Sequence, residues 1–179
     1  LLSNELEVVK PTYKNSDICP YFVDIQDRLF ILYIKKDMDI SSYPNILNHL
    51  EKFREILESR GEHKKGEISW YSLHRPRNEK ILCLDKIVCS RWGEKGPEYF
   101  GFQTGGYYEG TDIHIIVPKQ WVKENILYIL GILNSSLIKK WISENAQRRG
   151  YTSQSILSQI PIHYIDFDNN EEVQLHDAI

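Results

Sequence analysis

The sequence predicts an α+β domain that combines short-strand sheets, mixed or antiparallel, with two main helices. Two stretches, 44–60 and 122–145, repeat apolar residues at helical spacing. Around them lie short runs of aliphatic and aromatic residues, bounded by glycine, proline or charged residues, as is typical of short strands. The 179 residues and the 41% hydrophobic fraction suit one globular domain. We assign 1–165 to this domain and 166–179 to an acidic tail or the start of a further segment.

The first half of the chain is expected to contain one buried strand and one amphipathic helix. Residues 28–34 lack strict polar–apolar alternation, so we expect a strand that is buried on both faces. The helix over 44–60 begins with Pro44, which suits a first helical turn, and Gly61 is a natural stop. The polar residues 61–68 predict a mobile loop.

The middle of the chain predicts several short strands. Runs at 80–84, 86–90, 98–102 and 112–117 have the composition of strands. Residues 103–110 are rich in glycine and predict a tight turn, which we interpret as a hairpin loop.

The second helical pattern, 122–145, contains a small polar interruption. Residues 133–137 read Leu-Asn-Ser-Ser-Leu, which predicts a kink or a break into two helices. Residues 148–151 form a basic turn, and a short helix over 153–160 ends at Pro161.

Charge is distributed unevenly along the chain. The formal net charge is −3, but residues 60–95 contain nine Lys or Arg against five acids, so this region carries +4. A basic centre on an acidic body is compatible with a surface that faces phosphates, although a charge run is more often a solvated face. No apolar run has the roughly 18 residues of a membrane span. Three cysteines without metal-binding spacing suggest free thiols, and we expect a cytoplasmic protein.

The sequence contains no convincing catalytic or metal-binding motif. Residues 17–21 read Asp-Ile-Cys-Pro-Tyr and lack the doubled proline of an adenine methyltransferase loop. Residues 62–64 match the Glu-x-Lys of a nuclease but fall in a predicted loop. The histidines lack zinc spacing, and Gly105 and Gly106 are not followed by the Lys-Ser/Thr of a phosphate-binding loop.

The remaining chemistry is recognition, centred on residues 70–77, Trp-Tyr-Ser-Leu-His-Arg-Pro-Arg. Pro76 fixes its own φ and keeps Arg75 out of the helical region, so the two arginines are held in an extended geometry. Guanidinium groups read guanine edges or bind phosphates, and aromatic rings stack on bases. Taken singly, each such residue is more often a solvated surface residue or a packed core residue than a DNA contact. The candidate DNA-contacting residues are Trp70, His74, Arg75, Arg77, Lys80, Lys86, Arg91, Gln103, Tyr107, Tyr108, Arg148, Arg149 and Tyr151.

An ordered series of segments carries a family resemblance. The segments are 70–77, 85–88 (Asp-Lys-Ile-Val), 130–137 (Leu-Gly-Ile-Leu-Asn-Ser-Ser-Leu), 149–151 (Arg-Gly-Tyr) and 160–162 (Ile-Pro-Ile). Their order and spacing resemble the TaqI-like C-terminal specificity domain over about residues 8–165. This is the target recognition domain of many adenine-N6 DNA methyltransferases and fused restriction–modification enzymes. The turn at 103–108 departs from the aspartate-containing turn of the family, so base contacts are not carried over.

The resemblance implies a double-stranded DNA recognition module from a bacterial restriction–modification system. A Rossmann-like catalytic domain of the same polypeptide, outside this chain, would use S-adenosylmethionine and flip the target adenine. The chain itself would hold no cofactor and no catalytic residue, and a restriction endonuclease is a further possible fusion. The alternative is a protein-interaction domain that docks a partner without autonomous DNA binding. A stand-alone nuclease is the third class.

Overall fold

Two small sheets and two consecutive helices organise the chain in the computed structural model, which describes residues 1–93, 97, 99–145 and 152–179. The strands are β1 (Val9–Thr12), β2 (Tyr21–Phe22), β3 (Leu29–Leu32), β4 (Lys86–Ser90), β5 (Phe100–Gln103) and β6 (Ile113–Ile116). The helices are α1 (Ser3–Leu6), α2 (Pro44–Glu51), α3 (Arg54–Glu58), α4 (Gly61–Lys64), α5 (Glu79–Leu82), α6 (Ile126–Leu133), α7 (Ser136–Asn145), α8 (Gln154–Leu157) and α9 (Asn170–Asp177). Short 3-10 turns occupy Asn15–Asp17 and Ile40–Ser42. The predicted α+β class is confirmed.

The larger sheet has the strand order β2-β5-β4-β6. Strand β4 pairs antiparallel with β5 on one side and with β6 on the other. The short β2 adds to the far edge of β5 in parallel. Both faces of β4 are covered, since Ile87 and Cys89 pack towards α6 and α7 while Val88 packs against Tyr13 and Ile113. This strand, which is buried from Lys86 to Cys89, is therefore the centre of the fold.

The smaller sheet consists of β1 and β3, which pair antiparallel with Val9 opposite Leu32. Ile34 and Ile46 belong to the cluster between this sheet and α2. The expectation that residues 28–34 are buried on both faces was wrong, because Phe30 is 61% exposed. The two-stranded sheet leaves this ring on its open side.

The two predicted helices are each interrupted. The 122–145 pattern breaks into α6 and α7 as predicted, between Leu133 and Ser136. The 44–60 pattern also breaks, into α2 and α3, which was not predicted. In the second piece Ile56 is 70% exposed, so α3 lacks the buried apolar face that would extend α2. Residues 61–64 then form α4, and Gly61 is the first residue of a helix instead of a stop.

The middle region differs from the predicted short strands and hairpin loop in two places. Residues 79–82 form α5 and not a strand, because the Asn78 side chain caps the helix by accepting from the Lys80 amide at 3.0 Å. Strands β4, β5 and β6 are present, but residues 104–112 do not form a hairpin loop. Since β5 and β6 lie on opposite sides of β4, this segment, which we call the crossover loop, passes from one side of the central strand to the other.

The C-terminal residues 166–179 include a packed helix. Asn169 caps α9 through its side chain. His176 of α9 is buried against the rings of Tyr128 and Phe167, and its Nε2 accepts from the Asn125 amide at 2.8 Å. These residues therefore pack against the start of α6. In the described part of the chain, every helix falls short of the length and apolar character that a membrane crossing requires.

Candidate nucleic-acid interface

A cleft of about 220 Å³ separates residues 73–77, which we call the Arg-Pro-Arg segment, from the crossover loop. Its lining residues are Ile31, Tyr33, Leu73, His74, Arg75, Pro76, Arg77, Glu109, Gly110 and Thr111. The floor is apolar and belongs to the cluster of Tyr33, Leu82 and Tyr108, which joins the two sheets. The Arg-Pro-Arg segment therefore forms one wall of the cleft, and the crossover loop forms the other.

The two arginines of the segment point in different directions. Arg75 is exposed. Arg77 is half-buried, and its Nη2 donates to the carbonyls of Gly110 at 2.8 Å and Ile113 at 2.5 Å. Burial lowers the pKa of Arg77, and the neighbouring Glu109 opposes that shift. The Arg77 carbonyl in turn accepts a hydrogen bond from the Tyr33 hydroxyl. Arg75 is thus the outward guanidinium, and Arg77 ties the segment to the crossover loop.

Lys86 is not on the surface, which corrects its prediction as a DNA contact. Its side chain has no solvent exposure and its Nζ lies 3.1 Å from Oε1 of Glu109, which is equally buried. The ammonium also donates to the carbonyls of Leu82 at 2.7 Å and Tyr107 at 3.3 Å. Glu109 Oε1 accepts a further hydrogen bond from the Tyr13 hydroxyl at 3.1 Å. Lys86 is therefore an internal cation that binds the crossover loop to the central strand.

Arg91, at the end of β4, also contacts the crossover loop. It is half-buried, and its Nη1 donates to the Thr111 carbonyl at 2.9 Å. Its backbone amide donates to the Asp112 carbonyl at 2.9 Å. Together with Arg77 and Lys86, it brings a third cation to the inner side of the loop. Protein cations thus bind the carbonyls of Tyr107, Gly110 and Thr111 in this loop.

Two further predicted contacts, Gln103 and Tyr108, are corrected because both are buried. Gln103 ends β5 with 5% of its surface exposed, and its amide donates to the Thr104 carbonyl at 3.3 Å. Tyr108 packs edge-on against Tyr33, and its hydroxyl contacts Glu79. Neither side chain can reach a base edge in this conformation.

Two further aromatic candidates among the described residues, Trp70 and Tyr107, are half-buried. Trp70 lies under the Arg54 guanidinium, which is 4.9 Å from its ring centroid, and its ring meets Tyr71 edge-on. Tyr107 packs against Tyr13 at a centroid distance of 6.0 Å. These contacts use part of each ring for packing, and both residues remain partly exposed.

His74 and Lys80 have different surroundings. The Nε2 atom of His74 lies 3.1 Å from Glu67, and its Nδ1 lies 3.7 Å from Glu62, so carboxylates flank the imidazole. Lys80 is exposed on α5 and is available to a phosphate. Arg148, Arg149 and Tyr151, also predicted to contact DNA, lie outside the described residues.

The +4 charge of residues 60–95 is therefore only partly a surface property. Arg60 donates to four carbonyls, those of Leu57, Ser69, Trp70 and Ser72. Arg77, Lys86 and Arg91 also bind carbonyls of the chain. Lys95 is outside the described residues. The cations that the structure exposes in this region are Lys64, Lys65, Arg75 and Lys80.

Three residues of the site were not predicted from the sequence: Glu109, Thr111 and Asp112. Glu109 is the buried partner of Lys86, and Asp112 Oδ1 accepts from Trp92 Nε1 at 3.1 Å. The one sign of Glu109 in the sequence is an acidic residue within a glycine-rich segment. Nothing in the sequence indicates that residue 109 pairs with residue 86. Across the described residues, no cluster of His, Cys, Asp or Glu has the arrangement of a metal site.

Asn134 explains one of the segments that carried the family resemblance. Its side chain accepts from the Phe100 amide at 3.1 Å and donates to the Phe100 carbonyl at 2.8 Å. The Leu-Asn-Ser sequence thus breaks the helix and fastens the end of α6 to β5.

Comparison with known proteins places this arrangement in a family. The TaqI-like C-terminal specificity domain matches residues 10–162. The chain is 26% identical over 158 residues to type II methyltransferase M.HindII of Haemophilus influenzae, covering 82% of the chain and 30% of that protein. It is 32% identical over 108 residues to type II methyltransferase M.BanIII of Aneurinibacillus aneurinilyticus, covering 60% and 18%. Type II methyltransferase M.MjaIV of Methanocaldococcus jannaschii is 28% identical over 135 residues, covering 72% and 42%. The chain spans less than half the length of each of these relatives, and it belongs to the TaqI-like C-terminal specificity domain family.

Proposed function

We propose that the chain is the double-stranded DNA recognition module of a restriction–modification methyltransferase. The observation that carries the proposal is the cleft between the Arg-Pro-Arg segment and the crossover loop, with Arg75 exposed at its rim. The family match over residues 10–162 supports it, because the family is a specificity domain. The similar proteins named type II methyltransferases support the wider assignment.

The contacts divide into two kinds under this proposal. Exposed cations, Arg75 and Lys80 among them, meet phosphates and fix the position of the domain on the duplex. Thr111 and Asp112 at the outer end of the crossover loop are exposed polar residues that suit base edges. Arg148, Arg149 and Tyr151 remain predicted contacts of the same kind.

Catalysis belongs to another part of the polypeptide in this proposal. The sequence lacks the doubled proline of an adenine methyltransferase loop. A catalytic domain would bind S-adenosylmethionine and methylate the N6 atom of adenine after base flipping. The present chain would orient the duplex for that reaction and would not transfer a methyl group. A restriction endonuclease fused to the same polypeptide is compatible with this arrangement.

The test is selection of duplexes from a randomised library by the intact polypeptide, followed by titration at several salt concentrations. We expect one short sequence to be enriched and to bind at least about 10³-fold more tightly than a scrambled duplex. Enrichment of no sequence, with equal affinity for all duplexes, would contradict a role in specificity.

A second candidate function, docking of a protein surface, is favoured by a separate cleft. It has a volume of about 460 Å³ and lies between residues 121–124 and 164–168. Trp121 and Tyr164 on its walls are 74% and 82% exposed, which is unusual for large aromatic residues on one cleft. If this surface meets the catalytic domain, Trp121→Ala will weaken that association and leave the sequence preference of binding unchanged. A change in the enriched sequence would assign the surface to DNA instead.

A further inference from the structure

Arg75 and Arg77 differ in their surroundings, and the roles inferred for them rest on the function proposed above. In the sequence, Arg75 and Arg77 form an equivalent pair on either side of Pro76. In the structure Arg75 is exposed, whereas the Arg77 guanidinium lies between the Arg-Pro-Arg segment and the crossover loop. The two residues therefore have different chemistry available to them.

The hydrogen bonds of Arg77 define what it can do. One nitrogen, Nη2, serves both the Gly110 and the Ile113 carbonyl, at the point where the crossover loop enters β6. At the other end of the residue, the backbone carbonyl is held by the Tyr33 hydroxyl. Arg77 is therefore fixed at both its backbone and its side chain. A phosphate that drew the Nη2 end of this guanidinium outward would leave both carbonyls without their donor.

Arg77 does not act on the loop alone. Lys86 binds the Tyr107 carbonyl, and Arg91 binds the Thr111 carbonyl at 2.9 Å. Three cations, one from β4, one directly after it and one from the Arg-Pro-Arg segment, thus bind carbonyls between residues 107 and 113. The buried side chains of Tyr108 and Glu109 anchor the middle of the loop, and these bonds to its carbonyls fix the part that follows. A preformed shape lowers the ordering cost of binding.

We infer that Arg77 is a positioning residue, which fixes the crossover loop beside Arg75, and that Arg75 makes the phosphate contact. Arg77 then controls which duplexes fit, and Arg75 controls how strongly any duplex is held. Thr111 and Asp112, which lie between the two residues whose carbonyls Arg77 binds, are both exposed.

Salt dependence separates the two roles. Each phosphate contact contributes about 0.9 to the slope of log affinity against log salt concentration for duplex DNA. Arg75→Ala should lower the slope by about that amount and weaken specific and scrambled duplexes equally. Arg77→Ala should leave the slope unchanged and reduce the ratio of specific to scrambled affinity by roughly tenfold, a factor that corresponds to the loss of one preorganised contact.

Amide hydrogen exchange measures the loop directly and needs no DNA. Arg77→Ala should accelerate exchange over residues 107–113, and Arg75→Ala should not. Lys140→Ala is the matched control, because it removes an exposed cation from α7, which does not line the cleft. It should change neither the exchange of the loop nor the selectivity.

Three outcomes are distinguishable, all measured with the intact polypeptide. A lower salt slope in Arg77→Ala with unchanged loop exchange would overturn the inference and make Arg77 a DNA contact. If the wild-type protein enriches no sequence, the proposed function fails, while loop exchange still decides whether Arg77 fixes the loop. If Arg77→Ala does not fold, Arg77→Lys keeps the charge without the two-carbonyl geometry. It should then keep the slope and lose part of the selectivity; full selectivity would contradict the inference.

Discussion

Replacement of Lys86 by Met tests whether this cation belongs to the core or to a DNA-binding surface. Lys86 Nζ contacts Glu109 Oε1 at 3.1 Å and the Leu82 carbonyl at 2.7 Å, and both charged side chains are fully buried. Methionine preserves most of the volume of the alkyl stem, so the change removes the charge and the donors and leaves little cavity.

The expected cost follows from the charge that remains. Without Lys86, the Glu109 carboxylate is buried with the Tyr13 hydroxyl as the remaining donor that the structure shows for Oε1. Removing one partner of a buried ion pair costs about 3–5 kcal/mol. For a domain of this size that loss lowers the melting temperature by roughly 6–20 °C.

Urea unfolding followed by tryptophan fluorescence measures this change. The control is the double variant Lys86→Met with Glu109→Leu, which removes both charges. Replacing a buried pair with apolar residues is often neutral, so we expect the double variant to regain most of the lost free energy of unfolding. A loss below about 1 kcal/mol in the single variant, the size expected of an exposed pair, would refute the assignment of Lys86 to the interior.

Three further predictions follow from contacts around the central sheet. Burial, with smaller contributions from two nearby arginines, lowers the pKa of His114 below 6.5, although its bond to the Thr152 carbonyl opposes the shift. The unfolded state therefore binds the proton more readily than the folded state. The stability that neutral His114 contributes is present above about pH 6.5 and is lost as pH falls through the folded pKa. NMR titration of the imidazole should show the lowered pKa, and His114→Asn should flatten this part of the stability–pH profile. Gly105→Ala should destabilise the chain, because a Cβ there would lie 2.0 Å from the Cys83 carbonyl oxygen. Gly131→Ala in α6 is the control: its Cβ meets open space and should stabilise the chain by about 0.5–1 kcal/mol. Equal effects of the two substitutions in thermal melts would contradict this prediction. Asn134→Ala leaves the Phe100 amide and carbonyl without their side-chain partner and should cost about 1–3 kcal/mol in urea unfolding; a neutral result would mean that water replaces the clamp.

The sequence was informative wherever local chemistry decided the structure. The apolar run at Ile87–Cys89 predicted the central strand, and the Leu-Asn-Ser segment predicted the break between α6 and α7. The α+β class follows from these local patterns. The strand predicted over 80–84 was wrong because capping by Asn78 outweighed the strand-like composition of Ile81 and Leu82.

Long-range pairing could not be read from the sequence. The order β2-β5-β4-β6 makes residues 104–112 a crossover, whereas local glycine content alone predicts a hairpin. The same pairing buries Lys86 against Glu109, which is 23 positions away along the chain (109 minus 86). A count of basic residues cannot distinguish a cation that faces solvent from one that binds carbonyls inside the fold. For that reason the basic region predicted a broader DNA-facing surface than the structure exposes.

The most direct test of the central claim, that this domain determines which DNA sequence is recognised, is a domain exchange. Residues 10–162 of the intact polypeptide would be replaced by the matching region of a relative such as M.HindII, and the methylated bases in host DNA would then be mapped. We expect methylation to move to the sequence preferred by the donor of the exchanged domain. Continued methylation of the original sequence after the exchange would contradict the claim.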